Sequence, residues 1–212
     1  MTIHTGRHFL QIPGPTNVPD RVLREIAQAT IDHRGPEFAD LSVEVLERLK
    51  GVFGTRGPVV VFPSSGTGAA GAALVNTLSP GDRVLIFETG WFSHIPWRQI
   101  AERLGVQVEY VPGTWRRGAS RETLEQRLKD DAAHELKAVV IVHNETSTGV
   151  VSRIADLRRA MNRTGHPALL IVDAISSLAS IDLRHDEWEI EVTVCGSQKG
   201  LMVPPGVGFN AI

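Results

Sequence analysis

Cysteine is almost absent from this chain of 212 residues, which also lacks long apolar runs, a sizeable net charge and Pro- or Ser-rich linkers. The one cysteine, Cys195, cannot form an intramolecular disulfide, which is typical of a reducing compartment, so we predict a cytoplasmic protein. The apolar runs are too short to span a bilayer and the first residues lack the apolar run of a signal peptide, so no membrane association is expected. A formal charge of −2 provides no field to attract nucleic acid.

Metal binding is not expected either. The eight histidines are scattered, and no pair has helical i, i+4 spacing beside a carboxylate, as a metalloprotease site would require. We therefore predict no metal site.

The chain instead contains short runs rich in Val, Ile and Leu that alternate with helical stretches. Because these runs are apolar on both faces, they predict buried parallel strands. The predicted strands are 58–62, 83–87, 107–111, 138–142, 168–172 and 192–195. Between them, sequence periodicity and capping residues predict helices at 37–53, 68–78, 95–104, 121–130 and 154–163. The expected fold is α/β, a three-layer sandwich around a mostly parallel sheet.

The N-terminal residues differ in character from the rest. Three prolines around Gly14 predict an extended arm over residues 1–20, and Asp20 is expected to cap a short helix that runs to Thr30. Residues 21–212 are predicted to form one principal domain.

Ligands of open α/β sheets bind beyond the carboxyl ends of the strands, so the residues that follow each run are candidates for chemistry. Ser65, Gly66 and Thr67 follow the first run and lead into a helix. Small residues, free N–H groups and hydroxyl donors suit a phosphate. An ordinary glycine-rich turn explains this segment equally well, and no Lys-Ser or Lys-Thr follows to make it a Walker A loop.

Three further strand ends carry polar residues. Asp173 follows the fifth run, where a carboxylate needs a compensating partner, although it can equally be a helix cap. Lys199 follows the sixth run, where desolvation would lower the amine pKa and favour Schiff-base formation, although a surface lysine is the commoner explanation. Glu145, Thr146 and Ser147 follow the fourth run in a turn crowded with donors and acceptors.

One ligand, pyridoxal phosphate, accounts for these strand ends together. Its phosphate would bind at the turn at residues 65–67, and its pyridinium nitrogen would pair with Asp173. Its ring oxygen would accept a hydrogen bond from the turn at residues 145–147, and its aldehyde would react with Lys199. Trp91 or Phe92, after the second run, supplies an aromatic face for the ring.

Several long stretches of this chain closely resemble the class V, fold-type I pyridoxal-phosphate aminotransferases, and within them the serine–glyoxylate and alanine–glyoxylate aminotransferases. The resemblance covers essentially all 212 residues. It is carried by residues 13–19, 32–38, 65–68, 73–76, 79–82, 143–149, 172–178 and 196–202.

The resemblance implies a role for each candidate residue. Lys199 would form the Schiff base and move protons, and Asp173 would contact the pyridine nitrogen. The phosphate would be held by Ser65, Gly66, Thr67 and Gln198. Thr146 would donate to the ring oxygen and Phe92, with Trp91 as the alternative, would stack on the ring. His33 lies in a segment that lines the substrate side in the family.

The implied reaction moves the amino group of serine or alanine to glyoxylate, giving a keto acid and glycine, in a homodimer. The chain is much shorter than the family's, so we expect the small C-terminal domain and its carboxylate-binding arginine to be absent, and the last strand to be incomplete or exposed. A non-catalytic remnant and a class V desulfurase or lyase therefore remain as alternatives, although Cys195 lies inside an apolar strand and is expected to be a core residue.

Overall fold

The structure is a computed structural model that describes residues 9–212. Its strands are β1 Val59–Pro63, β2 Arg83–Phe87, β3 Gln107–Val111, β4 Leu136–Val142, β5 Leu169–Asp173, β6 Val192–Gly196 and β7 Val207–Ala211. Its helices are α1 Asp20–Ile26, α2 Pro36–Phe53, α3 Gly66–Thr77, α4 Trp91–His94, α5 Pro96–Arg103, α6 Arg121–Asp130 and α7 Ile154–Thr164. Among these, no helix is both long and apolar enough to cross a bilayer.

The strands form one sheet in the order β1-β7-β6-β5-β4-β2-β3. Neighbours from β3 to β6 run parallel, whereas β7 is antiparallel to both β1 and β6. The predicted mostly parallel α/β sheet is confirmed. As a consequence, the carboxyl ends of β1, β2, β4, β5 and β6 lie along the same edge.

Helices cover both faces of this sheet, because successive strand residues point to opposite sides. Leu85 and Phe87 pack in one core cluster with residues of α6 and α7, whereas Val84 and Ile86 pack in a second cluster with residues of α3 and α5. Strands that are apolar on both faces thus bury one face in each cluster. The result is the three-layer sandwich predicted from the sequence.

Local signals define several helix ends. The Ser120 side chain accepts a hydrogen bond from Thr123 N at 3.1 Å at the start of α6, and Gly165 ends α7 in the left-handed conformation. The Ser65 side chain caps α3 by accepting from Gly68 N, so α3 begins two residues before the predicted start.

The last strand differs from the prediction. The expectation of an incomplete or exposed strand is wrong, because β7 is mostly buried and hydrogen-bonded between β1 and β6. An antiparallel strand needs no crossover helix, so the short loop at residues 197–206 is enough to return the chain to the sheet. The alternation of helical and apolar stretches therefore gave no signal for β7.

Two elements near the N-terminus also depart from expectation. Strand β1 lies at the sheet edge and is only partly buried, with Val60 and Val61 exposed, although the run was predicted to be buried. Helix α1 ends at Ile26 rather than Thr30, and Pro19, not Asp20, occupies its cap position. No residue of α1 is buried, so packing does not extend the helix.

Residues 9–19 contain no helix or strand, in keeping with an extended arm. Thr16 N donates to Gln198 O at 2.9 Å, so this segment lies against the loop that follows β6. The first eight residues of the arm predicted at 1–20 lie outside the described residues, and the boundary at residue 20 stays a prediction.

Replacing Leu170 by Ala should destabilise the protein by about 2–5 kcal/mol, since the side chain is fully buried in the centre of the sheet. The matched control is Val75→Ala on the exposed side of α3, where we expect a change within about 0.5 kcal/mol. Urea unfolding followed by circular dichroism measures both. Equal losses in the two variants would contradict this placement of the core.

Candidate functional site

A cavity of about 300 Å³ lies at the carboxyl edge of the sheet. Every residue predicted to bind the cofactor lines it: Ser65, Gly66, Thr67, Phe92, Thr146, Asp173, Gln198 and Lys199. These residues are distant in sequence and come from the ends of five strands, which the parallel topology places side by side.

The turn at residues 65–67 forms one wall of the cavity, at the start of the twelve-residue helix α3. Close packing explains its glycine: a Cβ on Gly66 would lie 2.6 Å from Ile175 Cδ1. Gly208 of β7 supports the turn from behind, since a Cβ there would lie 2.6 Å from Ser65 O. The N–H groups at the start of α3 and the helix dipole favour an anion at this wall.

Gln198 adds hydrogen-bonding capacity on the same side. Its Oε1 atom is buried and has no hydrogen-bond partner among residues 9–212. Buried polar atoms are nearly always paired, so the carboxamide is available to a ligand in the cavity. The unpaired oxygen is an acceptor, so a phosphate would instead be contacted by the Nε2 group of the same carboxamide, beside the donors of the turn at residues 65–67.

Asp173 ends β5 and is almost completely buried. Burial raises the pKa of its carboxyl to about 6, against the lowering effect of hydrogen bonds from Trp97 and from the Ile175 backbone. Trp97 Nε1 donates to Oδ2 at 2.7 Å and Ile175 N donates to Oδ1 at 2.9 Å. A cationic ring nitrogen would provide the compensation that this carboxylate lacks.

Lys199 is half-buried and lies under the N-terminal arm. Its Nζ donates to Pro13 O, and a Cβ on Gly14 would lie 2.6 Å from Lys199 Cδ. Burial lowers the pKa of the Lys199 amine, and the nearby Asp173 carboxylate opposes that shift. A lowered pKa increases the neutral, nucleophilic fraction of the amine.

Phe92 contributes an aromatic ring to the cavity, whereas the Trp91 side chain is half exposed and is not among the lining residues. The structure therefore favours Phe92 as the aromatic face. The short helix α4 that carries it, Trp91–His94, is not among the helices predicted from the sequence.

The fully buried Glu145 holds α4 in place. Its Oε1 accepts from Phe92 N at 3.2 Å and its Oε2 from Ser93 N at 3.1 Å. Ser147 Oγ donates to Glu145 Oε1 and accepts from Trp91 N. The turn at residues 145–147 thus binds three successive amides of α4.

Thr146 belongs to this same turn and lines the cavity. Its Oγ1 forms a hydrogen bond with Ser176 Oγ, from the turn after β5. Glu145 therefore fixes the aromatic ring of Phe92 relative to the hydroxyl of Thr146.

His33 lies in the loop between α1 and α2, where its side chain is 74% exposed. It is not among the residues that line the cavity. Its proposed substrate role stays a prediction. Among the described residues, no group of His, Cys, Asp and Glu is arranged to hold a metal ion.

Sequence reasoning did not identify several residues around the cavity. The remaining lining residues are Gly14, Pro15, Val142, Asn144, Ile175 and Pro205. The proline-rich arm gave a signal for Gly14 and Pro15, but not for where the arm would pack. Nothing in the sequence around Trp97 indicates that its indole reaches Asp173.

The pH dependence of stability should report on Asp173. Between its ordinary pKa of 3.8 and about 6, the folded apoprotein binds the proton more tightly than the unfolded chain does. This group therefore lowers the free energy of unfolding by about 3 kcal/mol as pH rises through that window, with no further change above it.

The variant Asp173→Asn lacks this dependence. The difference in free energy of unfolding between the wild type and this variant, measured from pH 4 to pH 8, therefore isolates the contribution of Asp173. His143, whose pKa burial lowers to about 4, has the opposite dependence but is present in both proteins and cancels. Parallel stability curves, measured by denaturant unfolding, would show that Asp173 titrates normally.

Gly208→Ala should move the turn at residues 65–67, because backbone lies in the way of the new Cβ. We expect a loss of roughly 1–3 kcal/mol in stability, and weaker binding of pyridoxal phosphate by calorimetry. Gly51→Ala is the control: nothing lies within 4 Å of that Cβ, so only the helix propensity of α2 changes, by up to about 1 kcal/mol in favour of folding. Unchanged binding in Gly208→Ala would contradict the placement of the phosphate.

Comparison with known proteins identifies the family of this chain. The family profile described as Aminotransferase class-V matches residues 8–212. The chain is 48% identical over 212 residues to a serine–glyoxylate aminotransferase of Methylorubrum extorquens, covering 100% of this chain and 52% of that protein. It is 44% identical over 205 residues to a serine–glyoxylate aminotransferase of Arabidopsis thaliana, covering 96% of this chain and 51% of that protein.

Among solved structures, an alanine–glyoxylate aminotransferase from Nostoc sp. superposes with a TM-score of 0.90 at 29% identity, covering 100% of this chain and 55% of the other. The chain thus spans about half the length of the curated relatives that it matches. With the match to the family over residues 8–212 and the shared fold, the chain belongs to the class V aminotransferases, a family whose cofactor is pyridoxal phosphate.

Proposed function

We propose that this chain provides the pyridoxal-phosphate site of an enzyme that transfers the amino group of serine or alanine to glyoxylate, giving a keto acid and glycine. The observation that carries this proposal is the single cavity lined by an amine, a buried carboxylate and an anion-binding turn, contributed by Lys199, Asp173 and residues 65–67. The names of the relatives support glyoxylate as the amino acceptor.

Different residues of this chain would bind different parts of the cofactor. The helix start at residues 65–67 and the carboxamide of Gln198 would hold the phosphate. Phe92 would limit the tilt of the ring from one face and Thr146 would donate to the ring oxygen. Each of these groups lines the cavity.

When bound, the cofactor supplies an aldehyde that reacts with amines and a ring that accepts the electrons released at the substrate α-carbon. Asp173 would hold a proton on the ring nitrogen by its negative charge, which increases the capacity of the ring to accept those electrons. Lys199 would take the α-proton of the substrate on Nζ and return it later in the cycle. The lowered pKa of Lys199 suits both roles.

A second cavity of about 480 Å³ adjoins the first and shares Asn144, Thr146 and Lys199 with it. The arm residues Ile12 and Thr16 line its outer side. It provides space for an amino acid next to the amine that would take its proton. We therefore place the substrate between the arm and the turn at residues 145–147.

The desulfurase alternative receives no support from the thiol. Cys195 is buried in β6, and burial raises its pKa to about 12, so it is neither accessible nor ionised at neutral pH. Structural likeness to cysteine desulfurases is at 20% identity or below and shows the fold alone. We propose a homodimeric, cytoplasmic enzyme, in line with the family resemblance and the free, buried thiol.

Binding at Lys199 is the direct test. On addition of pyridoxal phosphate we expect a visible absorption band that borohydride fixes, with the added mass on the peptide containing Lys199. Lys199→Ala should abolish both, whereas Lys129→Ala, an exposed lysine paired with Glu125 on α6, should change neither. An unmodified Lys199 would favour the non-catalytic remnant.

Activity is tested separately, by serine-dependent and alanine-dependent formation of glycine from glyoxylate, with sulfide release from cysteine measured in parallel. Transfer by the wild-type chain that Lys199→Ala reduces by at least about 10³-fold supports the proposal. Sulfide release without transfer would overturn it in favour of the desulfurase.

A further inference from the structure

The hydrogen bond from Trp97 to Asp173 connects a core side chain to the candidate site. We infer that Trp97 is a positioning residue, whose indole N–H aims the Asp173 carboxylate and keeps it ionised toward the ring nitrogen of the cofactor. This inference rests on the proposed cofactor site and adds a residue that does not line the cavity.

Trp97 is held rigidly. It is the second residue of α5, is 1% exposed, and packs in the core cluster that includes Ala70 and Val142. A ring fixed on all sides fixes the direction of its N–H. The 2.7 Å contact with Asp173 Oδ2 is therefore set by core packing rather than by a mobile surface side chain.

The two oxygens of Asp173 receive one donor each from this chain, Trp97 Nε1 on Oδ2 and Ile175 N on Oδ1. Two donors from different elements prevent the carboxylate from rotating about its terminal bond. Each oxygen can accept more than one hydrogen bond, so acceptor capacity remains for a ring N–H.

The charges around Asp173 make the indole important. Lys199 stabilises the ionised carboxyl, Glu145 disfavours it, and the Cys195 thiol nearby is neutral because burial raises its pKa. When the amine of Lys199 is neutral, as its role as nucleophile and base requires, its stabilising charge disappears. The hydrogen bond from the Trp97 N–H does not depend on a titrating charge, so it still stabilises the ionised carboxylate when Lys199 is neutral.

The alternative is that Trp97 is only a large core residue, since it is 1% exposed. In that case its removal would lower the stability of the protein without a specific effect on the ionisation of Asp173 or on the ring nitrogen. The two roles therefore differ in what a deletion of the N–H alone would change.

The test uses Trp97→Phe, which removes the donor and retains an aromatic ring, and Trp115→Phe as a matched control. Trp115 Nε1 also donates to a carboxylate at 2.7 Å, that of Glu88, but does not line the cavity. Carboxyl ¹³C shifts of the apoprotein report the Asp173 titration, and ¹⁵N-labelled pyridoxal phosphate reports protonation of the ring nitrogen.

For Trp97→Phe we expect the midpoint of the Asp173 titration to rise by about one pH unit, since a hydrogen bond to a charged group is lost. The dissociation constant of pyridoxal phosphate should increase roughly tenfold at neutral pH, and the ¹⁵N shift should move toward the unprotonated ring. Trp115→Phe should leave all three values unchanged.

If Trp97→Phe does not fold, benzothienylalanine incorporated at position 97 replaces only the N–H by sulfur and keeps the indole shape. A titration midpoint and ¹⁵N shift equal to wild type, with stability alone reduced, would overturn the inference. If the wild-type chain binds no cofactor, the proposed function fails, but the apoprotein titration still decides whether Trp97 governs Asp173.

Discussion

A carboxylate buried at the end of the central strand β5 is the constraint on which the rest of the site depends. Burying a charge is unfavourable unless hydrogen bonds and an opposite charge compensate it. Asp173 obtains donors from α5 and from the turn after β5, and Lys199 faces it from the loop after β6. The compensation within the chain is partial, since the pKa of Asp173 stays raised, and the remainder is what a cationic ring would provide.

The walls of the site are held by similar contacts between loops. Glu145, also fully buried, binds successive amides of α4 and so fixes Phe92 relative to Thr146. Gly90 allows this approach, because a Cβ there would lie 2.3 Å from Glu145 Cγ. Two buried acids thus organise the site in different ways: Asp173 lines the cavity, whereas Glu145 fixes groups that surround it.

Much of the fold was predictable because strands that are buried on both faces are continuous apolar runs in the sequence. The bounds of β2, β3 and α6 agree with the prediction, and the other predicted strands differ by two residues or fewer at either end. β7 and α4 were not predicted, for a common reason. Short elements without an apolar periodicity of their own are specified by the elements that pack against them. The edge position of β1 and the early end of α1 were likewise set by packing, which no local pattern records.

The sequence by itself determined which chemical groups are available and that they follow the ends of strands, because residue type and apolar periodicity are local properties. Tertiary structure alone decided that Phe92 rather than Trp91 faces the cavity, that the arm covers Lys199, and that an indole from α5 reaches Asp173. Those relations join residues up to 186 positions apart. They follow from how helices pack on the sheet, and the direction of a packed side chain is fixed only when all its neighbours are in place.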